Sequence, residues 1–308
     1  MYNKYEFDEL IKNKQKELKY LKQENHLHYY YNSTKSLNLS NGCESCVSGR
    51  NYFVYVTKKC NLKCAHCPQC RFDCCTYNGN GPVENKIEEK RISTGNEILV
   101  DNIDMFPLLI SGKKDDIKGI GYTGGEPFLV INKVLYLLDI VNKINSNIYQ
   151  WIYSNGVYIT EDKLRQLNDN NIKEIRLDWA AHNYNLSFFK IIELSKKYID
   201  NVIIEIPMLY DNLIDNIFIP NIQKLKNMGI NQINCIELLL NDYNKSRLNF
   251  NDNELVHCDD DIVFPYNSRF MTYKIMKYIE DNSIEMIVND CNHNSRLSRN
   301  FNAKLLNT

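Results

Sequence analysis

Short apolar runs alternate along this chain with segments in which apolar residues recur every three or four positions. The apolar runs lie at 52–57, 117–125, 147–156, 172–179, 201–207 and 230–238. Between the later runs lie amphipathic segments such as NKVLYLLDIVNKI, TEDKLRQLNDN and IPNIQKLKNMGI, which are typical of helices. This alternation predicts right-handed βαβ units on a parallel sheet, either open and doubly wound or closed into a full or partial barrel. Six units are fewer than the eight of a complete barrel.

The amino-terminal segment has a different pattern. Residues 4–25 place apolar side chains at roughly helical spacing among Lys and Glu, which predicts an amphipathic helix before the main domain. A polar stretch, YYYNSTKSLNLSNG, then links this helix to the first pair of cysteines.

Composition narrows the class of protein. A chain of 308 residues with 44% hydrophobic content can bury a large core. Its formal net charge of −1 gives no strong basic field, so we expect neither a nucleic acid nor an anionic membrane as partner. The first residues lack the apolar core of a signal peptide, and no apolar run approaches the roughly 18 residues of a membrane span. We therefore expect a cytoplasmic protein whose eleven cysteines are reduced, so that clustered cysteines bind metal or do redox chemistry.

Four of the cysteines lie in VTKKCNLKCAHCPQC, residues 56–70, directly after the first predicted strand. Sites in parallel α/β folds form at the carboxyl ends of the strands, so chemistry is expected there. Cys60, Cys64 and Cys67 form C-x3-C-x2-C, and three such thiolates suit an iron-sulfur cluster or zinc. The alternative is a zinc ribbon built from two C-x2-C pairs, Cys43 with Cys46 and Cys67 with Cys70.

This stretch and a second motif together resemble the radical SAM (S-adenosylmethionine) superfamily. The superfamily signature is C-x3-C-x-aromatic-C after the first barrel strand, and His66 fills the aromatic position here. A Gly-Gly-Glu-Pro signature ends the second strand of the superfamily, and this chain has YTGGEPFL at 122–129. The NGCESC stretch before the first strand and Cys291 near the carboxyl end are similar to a little-characterised group related to pyruvate formate-lyase activating enzyme.

The resemblance implies the following ligands. Cys60, Cys64 and Cys67 would bind three irons of a 4Fe-4S cluster, and the fourth iron would stay open for SAM, with Cys70 outside the set. The residues expected around SAM are His66 against the nucleoside, Gly124, Gly125 and Glu126 at the methionine moiety, Ser154, Arg176 and Glu205. Glycine at 124 and 125 would let the backbone approach a ligand closely, and strand alternation turns Arg176 and Asp178 inward because Ile175 and Leu177 suit the helix-facing layer.

Further cysteines and one carboxylate are more speculative candidates. Cys235 and Glu237 share one parity of INCIEL, so Cys235 could donate a hydrogen atom to a substrate radical and Glu237 could orient substrate. Cys43, Cys46 and Cys291 could share a second metal centre, either an iron-sulfur cluster or zinc, if the two chain ends meet at one rim. The candidates for its fourth ligand are His257, Cys258 and His293, and Cys70, Cys74 and Cys75 are either redundant thiols or further ligands to it.

From these residues and this resemblance we predict an α/β fold. It comprises an N-terminal helical extension at 1–41, a partial (β/α)6 TIM-like barrel at 42–245 and a C-terminal α/β extension at 246–308 that packs on the barrel. The implied chemistry is oxygen-sensitive reductive cleavage of SAM to methionine and a 5'-deoxyadenosyl radical, which takes a hydrogen atom from the substrate. The expected partners are an electron donor such as flavodoxin or ferredoxin and a substrate, with a peptide or a glycyl-radical protein favoured over a small metabolite. The alternative is a zinc-stabilised α/β binding module without SAM chemistry.

Overall fold

The computed structural model describes residues 4–24, 27–34, 36–67, 96–98, 104–258 and 262–305. Within these residues the strands are β1 Leu21–Glu24, β2 His28–Asn32, β3 Asn51–Thr57, β4 Asn96–Ile98, β5 Gly119–Gly124, β6 Tyr149–Ser154, β7 Glu174–Asp178, β8 Asn201–Pro207, β9 Gln232–Ile236, β10 Leu255–His257, β11 Val263–Pro265 and β12 Ile287–Cys291. The helices are α1 Lys4–Lys16, α2 Asn41–Val47, α3 Phe106–Gly112, α4 Ile131–Asn145, α5 Glu161–Asp169, α6 Phe188–Lys196, α7 Asp211–Leu213, α8 Ile219–Asn227, α9 Asp242–Leu248, α10 Tyr266–Asp281 and α11 His293–Leu305.

Ten of these strands form one sheet in the order β1-β2-β12-β9-β8-β7-β6-β5-β3-β4. The six predicted strands are β3, β5, β6, β7, β8 and β9, and they pair in parallel as neighbours. Strand β12 continues the parallel sheet beside β9, and β4 adds a parallel edge beside β3. Because β1 and β4 lie at opposite edges, the sheet does not close. The predicted partial barrel is therefore confirmed.

The helices that connect the central strands bury one apolar side each. Helix α5 begins where the Thr160 side chain accepts a hydrogen bond from the Lys163 amide, which satisfies one of the unpaired amides of the first turn. Its Leu164 and Leu167 are buried against the sheet side. The predicted helices at 132–144, 160–170 and 219–230 correspond to α4, α5 and α8. None of the helices described is both long and apolar enough to span a lipid bilayer.

Alternation along β7 and β8 separates the two faces of the sheet. Ile175, Leu177, Ile204 and Ile206 belong to the continuous hydrophobic core. Residues of the opposite parity, such as Arg176, carry the polar groups of the inner face. A strand with this pattern buries its apolar face under helices and turns its polar positions into the barrel.

The amino-terminal segment departs from the prediction, because the helix expected over 4–25 ends at Lys16. Strands β1 and β2 then form an antiparallel hairpin, and β2 pairs antiparallel with β12 at the edge of the main sheet. Three consecutive tyrosines give β2 a high β propensity, although the polar pattern of this stretch predicts a linker. The amino-terminal extension is thus a helix followed by a two-stranded hairpin. The domain boundaries at 41 and 245 stay predictions.

Helix α2 lies against the inner face of the sheet near the amino-terminal ends of the strands. A Cβ atom at Gly42 would lie 2.7 Å from Arg176 Nη2 and 2.8 Å from Glu174 Oε1. At the start of β5, a Cβ atom at Gly119 would lie 2.4 Å from Ser45 Oγ. These contacts require glycine on both sides, so α2 packs tightly beneath the open end of the barrel.

Candidate active site

A cavity opens at the carboxyl ends of the central strands, where the sequence predicts chemistry. The loop after β3 contributes Cys60, Cys64, His66 and Cys67 to its lining. The ends of β5 and β6 contribute Thr123, Gly124, Gly125, Tyr153, Ser154 and Asn155, and β7 and β8 contribute Arg176, Asp178, Glu205 and Pro207. Ala181, residues 236–239 and Arg296 complete the lining. Two motifs separated by more than fifty residues in the sequence therefore share one cavity.

The Gly-Gly segment holds the cysteine loop in place. The amide of Gly125 donates to Thr57 O at 2.8 Å, and the amide of Glu126 donates to Lys59 O at 2.8 Å. Gly124 has a φ of 126°, a backbone conformation that favours glycine. A Cβ atom at Gly125 would lie 2.0 Å from Lys59 O. The close approach predicted for these glycines is therefore made to the backbone of the cysteine loop.

The thiols of the cavity cysteines, Cys60, Cys64 and Cys67, lie in a partly buried environment. Cys60 Sγ accepts hydrogen bonds from the amide of Leu62 at 3.5 Å and from Asn155 Nδ2 at 3.8 Å. Burial raises the pKa of Cys60. Burial, together with a neighbouring carboxylate and the two other thiols, raises the pKa of Cys64 to about 12.

These properties fit a metal-sulfur centre. Three cysteine side chains line one cavity, sulfur is the donor that iron-sulfur clusters and zinc prefer, and N–H donors to sulfur are typical of iron-sulfur ligands. Within the described ranges, no three Cys, His, Asp or Glu side chains converge closely enough to hold a metal ion. Cys70, Cys74 and Cys75 lie outside the described residues.

His66 and Asp178 contact each other in the lining of the cavity. His66 Nε2 lies 3.0 Å from Asp178 Oδ2, and the other carboxylate oxygen accepts from the amide of Ala181 at 3.1 Å. The inward orientation predicted for Asp178 is confirmed by its place in the lining. Asp178 is not among the residues predicted to bind SAM, although strand parity alone predicts that its side chain faces inward. The expected contact of His66 with a nucleoside stays a prediction.

Glu126 lies behind the cavity and does not line it. Its side chain is fully buried and accepts hydrogen bonds from the amide of Phe128 at 3.0 Å, Ser154 Oγ at 2.9 Å and the amide of Asn155 at 2.8 Å. Burial raises the pKa of Glu126, while these donors lower it. The carboxylate joins the end of β5 to the end of β6. Asn155 lines the cavity and was missed, although it is the Asn of the SNG stretch that supplied Ser154.

Arg176 occupies a dense polar network on the inner face. Its Nε donates to Glu174 Oε1 at 2.6 Å and its Nη1 donates to the Tyr153 hydroxyl at 2.8 Å. Glu205 Oε1 lies 3.6 Å from Arg176 Nη1 and accepts from Asn234 Nδ2 at 2.7 Å. Burial raises the pKa of Glu205, and the Arg176 guanidinium lowers it. Both predicted residues line the cavity, with the guanidinium already paired inside the protein.

The wall opposite the cysteine loop contains Glu237 and Arg296. Glu237 is buried, and Glu237 Oε2 accepts from the amide of His293 at 2.7 Å. Arg296 Nη2 donates to Glu237 O at 3.3 Å. Cys235 is fully buried in the hydrophobic core and does not line the cavity. Because Asn234 faces inward, Cys235 faces the helices, and strand β9 ends before Glu237, so the shared parity expected for the two residues does not hold.

The inner cysteines, Cys43, Cys46 and Cys291, do not line the cavity. Cys43 Sγ accepts from Gln232 Nε2 at 3.2 Å and from Arg176 Nη2 at 3.3 Å, and Cys46 Sγ accepts from Arg299 Nη1 at 3.4 Å. Burial raises the pKa of Cys43 to about 12 and that of Cys291 to about 11. The second metal centre expected here stays a prediction. Its fourth-ligand candidates are spread over β10, the residue after it and the start of α11.

The chain is similar to known proteins over parts of its length. No family model matches it. A Methanocaldococcus jannaschii protein named "Putative glycyl-radical enzyme activating enzyme MJ0021" is 27% identical over 178 residues, which is 56% of this chain and 43% of that protein. The chain thus spans less than half the length of this curated relative.

Two solved structures match this chain over parts of their length. Streptococcus suis SuiB has a TM-score of 0.52 at 14% identity, covering 79% of this chain and 49% of SuiB. The protein anSMEcpe with bound AdoMet has a TM-score of 0.40 at 18% identity, covering 59% of this chain and 50% of that one. At these identities the likeness to SuiB shows the fold alone.

The fold and the cavity define a partial (β/α)6 barrel with a cysteine-bearing loop at the end of its first central strand. The sequence relative and the fold agree with the resemblance to the radical SAM superfamily that the two motifs indicate.

Proposed function

We propose that this chain is a radical SAM enzyme that binds a 4Fe-4S cluster through the cavity cysteines and modifies or activates a peptide or protein. The observation that carries this proposal is that the C-x3-C-x2-C loop and the two glycines of the Gly-Gly-Glu-Pro segment line one cavity, and that the two segments are joined by backbone hydrogen bonds. When bound, the cluster and SAM supply reductive cleavage of the sulfonium and a 5'-deoxyadenosyl radical that abstracts a hydrogen atom.

The residues of this chain hold and orient those groups. The cavity cysteines bind iron, and the donors to Cys60 from Leu62 and Asn155 stabilise its thiolate. Gly124, Gly125 and Ser154 form the side of the cavity next to the cysteine loop, where the methionine moiety of SAM fits. Because Glu126 is buried behind this wall, it acts by holding β5 and β6 together.

The other polar groups of the cavity contact either SAM or the substrate. His66 and Asp178 present a ring and a carboxylate on one side of the cavity, which suits the nucleoside and its ribose. Arg176 and Glu205 lie deeper, where their mutual pairing fixes the position of the Glu205 carboxylate, which would contact SAM. On the far wall, Glu237 orients substrate.

The name of the sequence relative supports a protein or peptide substrate. The far wall is mostly apolar and contains Pro207, Ile236, Leu238 and Leu239. Such a wall suits a peptide segment that leaves water when it enters. Activation of a glycyl-radical protein is the favoured case within this class. The oxygen sensitivity of the cluster and the need for a reductant suit the cytoplasm.

Anaerobic reconstitution with iron and sulfide tests the metal site. We expect absorption of a 4Fe-4S cluster that falls in Cys64→Ala and is retained in Cys235→Ala, a core cysteine outside the cavity lining. Addition of SAM should change the electron paramagnetic resonance spectrum of the reduced cluster. One tightly bound zinc per chain, with no cluster after reconstitution, would replace this proposal with the zinc-stabilised binding module.

A further inference from the structure

The side chain of Asn155 joins the end of β6 to one of the cavity cysteines. Asn155 Nδ2 donates to Cys60 Sγ at 3.8 Å and to Asn61 Oδ1 at 2.9 Å. Asn155 and Cys60 both line the cavity, although they are 95 positions apart in the sequence. Cys60 therefore receives a side-chain N–H donor from a distant strand, in addition to the amide of Leu62 in its own loop.

The orientation of the Asn155 amide group is fixed by its neighbours. Asn155 Oδ1 accepts from the amide of Val157 at 3.1 Å, which closes a tight turn of the kind that Asn favours. Because the oxygen of this group faces Val157, its nitrogen faces the cysteine loop. A flipped amide would place Oδ1 against Asn61 Oδ1 and Nδ2 against the amide of Val157, and both contacts would be repulsive.

The backbone of Asn155 is held at two further points. Its amide donates to Oε2 of the buried Glu126 at 2.8 Å. On the other side, His182 Nε2 donates to Asn155 O, and the His182 ring packs against Phe188 with ring centroids 4.9 Å apart. The donor to Cys60 is therefore fixed both through its backbone and through its side chain.

A fixed N–H donor to a ligand sulfur changes the electron affinity of a metal-sulfur centre. The donor draws electron density from the thiolate, so it favours the reduced state, which carries one more negative charge. A donor that is already in place needs no reorganisation when the electron arrives. Removing such a donor should therefore make the centre harder to reduce.

We propose that Asn155 is a positioning residue that raises the reduction potential of the centre held by the cavity cysteines, acting through Cys60. This inference rests on the proposed function, because it requires a redox-active iron-sulfur centre in the cavity. Asn155 contacts the ligand sulfur and does not bind iron itself.

Redox titration of the reconstituted full chain, without SAM, tests this inference. Asn155→Asp keeps the acceptor for the Val157 amide and removes the N–H donor, whereas Asn155→Leu keeps the approximate shape and removes both groups. The matched control is Asn185→Asp. Asn185 Oδ1 accepts from the amide of Ser187 at 2.8 Å in a turn of the same kind, and Asn185 does not line the cavity.

We expect the midpoint potential to fall in both Asn155 variants. The equilibrium constant for one-electron reduction should decrease at least about 3-fold in Asn155→Leu, which is about 28 mV, and at least about 10-fold in Asn155→Asp, which is about 59 mV. The fall is larger for Asp because a carboxylate places negative charge beside the sulfur. The control should stay within about 1.5-fold of the wild type, which is about 10 mV.

An unchanged or higher potential in both Asn155 variants would overturn the inference. A fall of equal size in Asn185→Asp and Asn155→Asp would also overturn it, because the added charge would then act without the contact to Cys60. A variant that binds less iron is still informative, since the midpoint potential does not depend on the amount of cluster.

Nuclear magnetic resonance of the metal-free protein tests the contact itself. The side-chain amide signals of Asn155 are identified by their loss in Asn155→Asp. They should shift in Cys60→Ala and keep their positions in Cys235→Ala, because Cys235 is buried in the hydrophobic core and does not line the cavity. Signals that ignore Cys60→Ala would overturn the inference and leave the proposed function standing. A wild type that forms no 4Fe-4S cluster would overturn the proposed function, and the inference with it.

Discussion

Gly125→Ala should damage both the stability of this protein and its ability to hold iron. The added Cβ atom would lie 2.0 Å from Lys59 O and 2.5 Å from Lys59 C, both of them backbone atoms that cannot rotate away. The cysteine loop must therefore shift, which weakens the hydrogen bonds that Thr57 O and Lys59 O accept from the Gly125 and Glu126 amides. Overpacking of this kind costs about 1–3 kcal/mol.

Gly112→Ala is the matched control. Gly112 ends helix α3, and a Cβ atom there meets nothing within 4 Å. Alanine in a helix is more stable than glycine by about 0.5–1 kcal/mol, so this variant should be as stable as the wild type or slightly more stable. The two substitutions add the same methyl group and should change the free energy of unfolding in opposite directions.

Urea unfolding of the apoprotein and the iron content after anaerobic reconstitution measure these effects. We expect Gly125→Ala to lower the free energy of unfolding by about 1–3 kcal/mol and to retain less iron per chain than Gly112→Ala. If Gly125→Ala matches the control in both measurements, the Gly-Gly segment does not position the cysteine loop and the reasoning is refuted.

Three further changes test separate parts of the structure. Arg176→Met leaves the fully buried Glu174 without its closest cation and should lower the free energy of unfolding in urea by about 3–5 kcal/mol. Its control, Arg165→Met in an exposed helix pair, should lower the free energy of unfolding by about 0.3–0.5 kcal/mol. Equal losses in the two variants would contradict the buried network. Burial lowers the pKa of His28 below its ordinary value. The contribution of neutral His28 to the free energy of unfolding is therefore present above about pH 6.5 and declines below that pH by at most about 1.4 kcal/mol per pH unit. A His28→Gln variant whose stability depends on pH as that of the wild type does would contradict this. Replacing all three cavity cysteines by Ala should leave iron or zinc that disappears only when the inner cysteines are also replaced, and metal-free protein after the first change would exclude a second centre.

Much of the fold could be predicted from local patterns. The apolar runs mark all six central strands because a parallel strand covered by helices must present apolar side chains on its outer face. The parity of 174–178 placed Arg176 and Asp178 inside the barrel for the same reason. The spacing of the cysteines and the Gly-Gly segment identified the cavity from two short motifs.

The remaining features depend on contacts between distant parts of the chain. The hairpin at 21–32 forms because β2 has an available partner in β12, which a local reading of a tyrosine-rich polar stretch does not supply. Cys235 was assigned to the cavity by continuing strand alternation to Glu237, but β9 ends at Ile236. The inner position of α2 follows from glycines at 42 and 119 whose neighbours come from other elements.

The central claim is that the cavity cleaves SAM by one-electron reduction, and formation of 5'-deoxyadenosine measures this directly. The reconstituted protein is incubated anaerobically with SAM and dithionite, and the product is quantified by liquid chromatography. We expect 5'-deoxyadenosine and methionine in equal amounts from the wild type and none from Cys64→Ala. A wild-type protein that carries an intact, reduced 4Fe-4S cluster and binds SAM, yet forms no 5'-deoxyadenosine with or without candidate peptides, would contradict the account.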